Sequence, residues 1–116
     1  MNTRTSLTYI KFLHLMQAVN DLPQFPSLDP VEEKLLSYFA LAWHSDRKLT
    51  VLETMHGLPD FSSSTVRRRL KSLHQKRLID LEVNQIDHRI KYIIPTELTN
   101  AYFSQLGQCL VKAIDA

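Results

Sequence analysis

Between Ser62 and Leu78 the chain carries Arg67, Arg68, Arg69, Lys71, Lys76 and Arg77 and no carboxylate, so six of its 14 Lys and Arg residues fall in one short segment. Cationic side chains at this density suit phosphate oxygens and the edges of bases. Spacing sorts them. With Val66, Leu70 and Leu73 as the inward stripe of a helix, the opposite side, at about 100° per residue, carries Ser64, Arg68, Lys71 and Gln75. Arg67 and Ser72 flank that side, and Ser63 and Thr65 join Ser64 near the helix start. Arg donates two hydrogen bonds to guanine, Gln pairs with adenine, and Ser and Lys reach phosphates or bases. Arg69 lies nearer the apolar side and reads as structural or phosphate-facing. A solvated basic face would show the same charges; the neighbouring elements separate the two readings.

A second cluster, Asp87-His88-Arg89, sits in a polar stretch between two strand patterns. An Arg on such a tip can enter the narrow minor groove of a duplex, where the potential is most negative. Asp87 is close enough in sequence to hold that side chain, and Lys91 adds a candidate phosphate contact.

Other chemistries find little support. The five histidines (His14, His44, His56, His74, His88) are scattered without metal-ligand spacing, and Cys109 is the one cysteine. Ser62-Ser63-Ser64 with His56 nearby reads as helix capping, not as a nucleophile and its base. Two glycines are few for a phosphate-cradling loop or an all-β fold. No cofactor, metal or enzyme activity is expected. No apolar run approaches the roughly 20 residues of a membrane span. The early apolar stretch is broken by Lys11, His14 and Gln17 and has no small-residue cleavage site, so it reads as a helix in a cytoplasmic protein. The net charge of +2 adds little, because only the distribution is informative.

The elements that must position these groups follow from pattern. Residues 5–20 form a helix with a broad apolar face that includes Tyr9, Phe12, Leu13 and Met16. Pro23 and Pro26 mark a linker. Asp29, Pro30 and Glu32 open a second helix as a capping box. Lys48-Leu49 suggests a short strand. Thr50 and Glu53 open a short third helix, with Leu52 and Met55 expected inward. Ser62 or Ser63 starts the basic helix, which runs to about Gln75. Leu78–Val83 and Arg89–Ile94 read as two strands of a hairpin, ended by Pro95. Thr96 caps a last helix reaching about Ile114, whose face carries Tyr102, Leu106, Cys109 and Leu110.

Helix–turn–helix followed at once by a hairpin is the winged-helix order. From Leu49-Thr50 through Ser64-Thr65-Val66, Leu70, Leu73 and Leu78-Ile79 to the stretch Asp87–Thr96, the sequence resembles the MarR family of winged-helix regulators. Three positions depart from that pattern. Arg77 stands where such proteins usually have a glycine ending the recognition helix, Pro95 replaces the usual Leu, and the turn before Ser62 is about one residue longer. The chain also has room for one long C-terminal helix instead of a pair.

The expected fold is mainly α with a small sheet (α+β): a winged helix-turn-helix with N- and C-terminal dimerisation helices. One domain is expected over residues 1–116, with a DNA-binding core at 30–95 and dimerisation helices at 5–20 and 97–115. The expected partner is double-stranded DNA, as an inverted repeat read by a homodimer. Tyr9, Phe12, Leu13, Met16, Tyr102, Leu106 and Leu110 are the candidate dimer interface, because two broad apolar faces exceed what one small domain buries easily. The resemblance implies intertwined terminal helices and a small aromatic effector, which no residue identifies. The alternative is a winged-helix interaction or assembly module that does not touch DNA, and it would present apolar residues where Arg68, Lys71 and Gln75 stand.

Overall fold

The computed structural model describes residues 3–115. In chain order the elements are α1 (Arg4–Asn20), α2 (Pro30–His44), β1 (Leu49–Thr50), α3 (Val51–Gly57), α4 (Ser63–Gln75), β2 (Ile79–Val83), β3 (Lys91–Pro95) and α5 (Glu97–Ile114). They divide into two compact units, Met1–Ser27 with Asn100–Ala116, and Leu28–Thr99.

Helix starts are set by side chains a few residues away. Asp29 and Glu32 exchange both hydrogen bonds of a capping box at α2, and Thr50 and Glu53 do the same at α3. The Ser62 hydroxyl accepts from the Thr65 N–H at α4, and the Thr96 hydroxyl accepts from the Thr99 N–H at α5. Each bond satisfies an N–H that the first helical turn leaves open.

In the unit Leu28–Thr99, α2 supplies Leu35, Leu36 and Phe39, α4 supplies Val66, Leu70 and Leu73, and the sheet side supplies Ile79 and Ile93; all are buried. The sheet is antiparallel in the order β1-β3-β2, with Leu49 opposite Ile93 and Leu81 opposite the same residue from the other side. The Trp43 indole N–H donates to the Ile93 carbonyl at 3.1 Å, tying the end of α2 to the central strand. One expectation fails in α3: Leu52 is 64% exposed, and Thr54 takes the inward position. Its hydroxyl donates to the Thr50 carbonyl at 2.9 Å, which lets a polar residue be buried there.

The basic helix ends on Arg77, whose φ is +61°. The Arg77 N–H donates to the His74 carbonyl and the Leu78 N–H to the Leu73 carbonyl, the bond pair of a Schellman C-cap. The missing glycine therefore leaves the turn unchanged and puts an L side chain in the left-handed region. Asp46, φ +56°, does the same after α2; Asp tolerates that conformation better.

A buried carboxylate fixes α4 to α2. Glu32 is 2% exposed. It accepts from the Lys76 ammonium at 2.8 and 2.9 Å and from the Ser72 hydroxyl at 2.8 Å, while also completing the α2 capping box. One turn before Ser72 on α4, the Arg69 Nε lies 2.7 Å from Asp29 Oδ2, which favours the structural of the two readings open for Arg69, structural or phosphate-facing. Burial, the largest single influence, pushes the Glu32 carboxyl upward. The hydrogen bonds from Lys76, the Asp29 N–H and Ser72, with the Lys76 charge, outweigh it and hold the group below the ordinary carboxylate range.

In the other unit the Tyr102 hydroxyl donates to Asn20 Oδ1 at 2.8 Å, and its ring meets Phe25 edge-on at 5.2 Å. Val19, Phe25, Tyr102, Cys109 and Ala113 are buried. Phe12, Leu13, Met16 and Leu106 are half-buried. Leu7, Tyr9, Leu110, Val111 and Ile114 are exposed. Periodicity placed Tyr102 with the outward set; the structure has it already enclosed within its own chain.

Two outcomes follow. Arg77→Gly removes the left-handed strain, offset in part by the greater freedom of glycine in the unfolded chain. It should stabilise by roughly 0.5–1 kcal/mol and raise the melting temperature by about 2–5 °C; an unchanged or lower melting temperature contradicts the C-cap assignment. Glu32→Gln should cost about 1–3 kcal/mol at neutral pH, because it strips the Lys76 ammonium of its counter-charge. The folded pKa of Glu32 lies below its ordinary 4.5, so carboxylate-dependent stability is complete above that pH and is lost as pH falls through the depressed value. Denaturant titrations should show the parent–variant gap closing on acidification; a gap constant with pH contradicts the ion pair.

Candidate nucleic-acid interface

With its back held against the core, α4 turns Ser63, Ser64, Arg67, Arg68, Lys71 and Gln75 outward, and all of them are exposed. The row Ser64, Arg68, Lys71, Gln75 keeps the i, i+4, i+7, i+11 spacing of one helix face. Thr65 is half-buried, and its hydroxyl accepts from Ser62 at 2.8 Å. It therefore sits in the N-cap cluster and less on the outward face.

The wing tip, residues 84–90, is organised by Asn84. Its Oδ1 accepts from the Ile86 N–H at 2.8 Å and from the Asp87 N–H at 2.9 Å. Its Nδ2 donates to the Tyr92 hydroxyl at 3.1 Å. The Asn84 N–H closes the loop on the Ile90 carbonyl. In the sequence Asn84 is one polar residue of a polar turn. Asn with a hydrogen bond to the backbone two residues on is the available signal.

Asp87 and Arg89 meet as the two-residue spacing suggested. Arg89 Nε and Nη2 reach the two carboxylate oxygens at 3.0 Å each, and the Arg89 N–H adds a third bond. The hydrogen bonds from the Arg89 side chain hold Asp87 below the usual carboxylate range, and Asp87 raises Arg89 in turn. This fork orients the guanidinium without burying it; the Arg89 side chain is 90% exposed.

Between α4 and the wing lies an open groove of about 340 Å³. Arg67, Lys71 and His74 line it from the helix, Arg89 and Lys91 from the wing, over an apolar floor that includes Leu81. No carboxylate is among its lining residues. The two basic clusters of the sequence, separated by some dozen residues, thus form one surface. His74, read only as a scattered histidine, belongs to it, with Asp80 3.7 Å away. Such a surface can bind a polyanion: side chains on a rigid helix meet base edges, and the flanking cations meet phosphates. No group of His, Cys, Asp and Glu among the described residues is placed to hold a metal ion, and no helix among them is long and apolar enough to cross a membrane.

No family model and no curated protein sequence matches the chain. Solved structures do resemble it. A mutant of MepR from S. aureus bound to an oligodeoxyribonucleotide is 21% identical with a TM-score of 0.66, covering 99% of this chain and 81% of that one. A mutant of MarR from E. coli complexed with operator DNA is 15% identical with a TM-score of 0.61, covering 92% and 68%. The heme sensor protein PefR from Streptococcus agalactiae, in complex with heme, is 19% identical with a TM-score of 0.59, covering 97% and 76%. By its element order, its three-stranded sheet with a wing and these likenesses, the chain has the MarR-like winged helix-turn-helix fold.

Proposed function

We propose that this chain binds double-stranded DNA as a homodimer and regulates transcription, with α4 in the major groove and the wing near the minor groove. The carrying observation is the shared surface of α4 and the wing. Arg67, Lys71, Arg89 and Lys91 converge on one groove without a carboxylate, beside the exposed row Ser64, Arg68, Lys71 and Gln75. A protein-interaction module would place apolar side chains on that front. The DNA-bound state of the similar MarR and MepR structures supports the same reading.

In this reading Arg68 reads a base and Arg89 neutralises the backbone near the minor groove. The test is a salt-dependent titration of the duplex upstream of the chain's own gene against random duplex. Arg68→Ala should weaken specific binding by about 1–3 kcal/mol and relax sequence preference. Arg89→Ala should weaken binding to every sequence and lower the salt slope by about one. A parent protein that binds neither duplex at low salt contradicts the proposal. Unchanged affinity in both variants removes the helix and the wing from the contact.

The dimer is proposed from the unit holding α1 and α5. Leu7, Tyr9, Leu110, Val111 and Ile114 are large apolar residues left exposed on it, with Phe12, Leu13, Met16 and Leu106 half-buried. Soluble monomers rarely leave such a set wet. A two-fold pair presents two recognition helices, so the operator should be an inverted repeat with half-sites about 10 bp apart centre to centre. Light scattering should give twice the 13.5 kDa of one chain, and Leu106→Glu should dissociate or unfold the pair. A parent mass of one chain at micromolar concentration contradicts the dimer and the palindrome together.

A further inference from the structure

We infer that Ile86, at the wing tip, is an apolar wedge for the DNA minor groove, working together with the Arg89 guanidinium of the same tip. The inference rests on the DNA-binding reading above and adds a contact of a different chemical kind.

Hairpin tips are ordinarily built from Gly, Asn, Asp and Ser. Here the tip carries an isoleucine that is 97% exposed, more than any other exposed large apolar residue described. One exposed apolar side chain is unremarkable by itself. Its mounting is the informative part. The Ile86 N–H and the Asp87 N–H both donate to Asn84 Oδ1, and Tyr92 fixes the Asn84 amide from the other side. The Asn84 and Ile90 N–H groups close the loop on the Ile90 and Asp87 carbonyls. The β-branch restricts χ1 as well. The side chain is therefore presented on a stiff loop, and little loop freedom remains to be lost on binding.

The surroundings select the partner. His88, Arg89 and Lys91 are exposed close by in the chain, and the two acids within the same distance are both paired, Asp87 with Arg89 and Glu82 with Lys48. A second copy of this tip would bring like charges together. The partner that suits an apolar point amid cations is an anionic surface with an apolar interior. The minor groove is one: it is lined by sugars and base edges, has strongly negative potential, and is a known site for Arg paired with inserted apolar side chains. The Asp87 fork holds the cation on the same tip, three residues on from Ile86, so one tip supplies both parts.

The apolar contact and the ionic one differ in salt dependence, because only phosphate neutralisation releases counterions. Ile86→Ser should therefore weaken binding to duplex by roughly tenfold, about the worth of burying much of an isoleucine side chain, with the salt slope unchanged. Ile86→Leu should restore most of the affinity. A duplex with 2-aminopurine at the wing-proximal step should brighten with the parent and stay dark with Ile86→Ser, because an inserted apolar wedge partly unstacks the step. Because Ile86 is outside the core, all variants should melt as the parent does. If the parent binds no duplex, the DNA-binding reading fails and the wedge with it. If the parent binds and Ile86→Ser binds equally tightly at every salt concentration, the wedge fails and the DNA reading stands. A loss that comes with a smaller salt slope also overturns it, since the change would then act through neighbouring charges. Binding of the parent to phosphatidylglycerol vesicles that Ile86→Ser abolishes, with duplex affinity intact, would assign the tip to a membrane surface and overturn it likewise.

Discussion

The Glu32 carboxylate sits at the first turn of α2, almost wholly out of water, and the orientation of the basic helix depends on it. A buried carboxylate is tolerated only with partners, and here they come from both helices: the Asp29 N–H on its own side, Ser72 and Lys76 across the gap. Asp29, the cap of the same turn, takes Arg69. Two cations of the basic run are thereby drawn to the back of α4. The consequence is a division of labour within one charge cluster: Lys76 and Arg69 orient the helix, and Arg67, Arg68 and Lys71 remain outward. A slip of α4 by one residue would break both ion pairs and turn Arg68 away from the front.

What was legible in the sequence was local. Capping boxes act over three residues, so Asp29 with Glu32 and Thr50 with Glu53 could be read directly. Asp87 with Arg89 acts over two. The apolar stripe of α4 fixed its outward face by periodicity alone. What stayed hidden was long in sequence. Glu32 meets Lys76 across 44 residues, and nothing in a capping box announces a second duty. The groove that unites Arg67 and Lys71 with Arg89 and Lys91 exists only once the hairpin folds back. Leu52 reads as core because it is apolar on a short helix, whereas Thr54 is buried because its hydroxyl bonds the Thr50 carbonyl one turn back. Tyr102 lies on the apolar face of α5, but periodicity cannot say whether that face meets its own chain or another.

Arg77 shows the limits of reading a departure from a pattern. A glycine is the usual residue at that turn because it has no Cβ to strain. The bonds from the Arg77 and Leu78 N–H groups form all the same, and the Thr96 hydroxyl donates to the Arg77 carbonyl at 2.7 Å. Backbone bonding on both sides thus holds a conformation the side chain disfavours. The sequence deviates while the turn does not.

The proposed contact surface for duplex DNA is α4 and the wing together. Amide NMR spectra of the 13.5 kDa chain, titrated with a duplex carrying an inverted repeat, test it most directly. The largest shift changes should fall on residues 62–75 and 84–91, with the buried stripe Val66, Leu70 and Leu73 moving less than Ser64, Arg68 and Lys71. Changes confined to α1 and α5, with α4 and the wing unmoved, would contradict it.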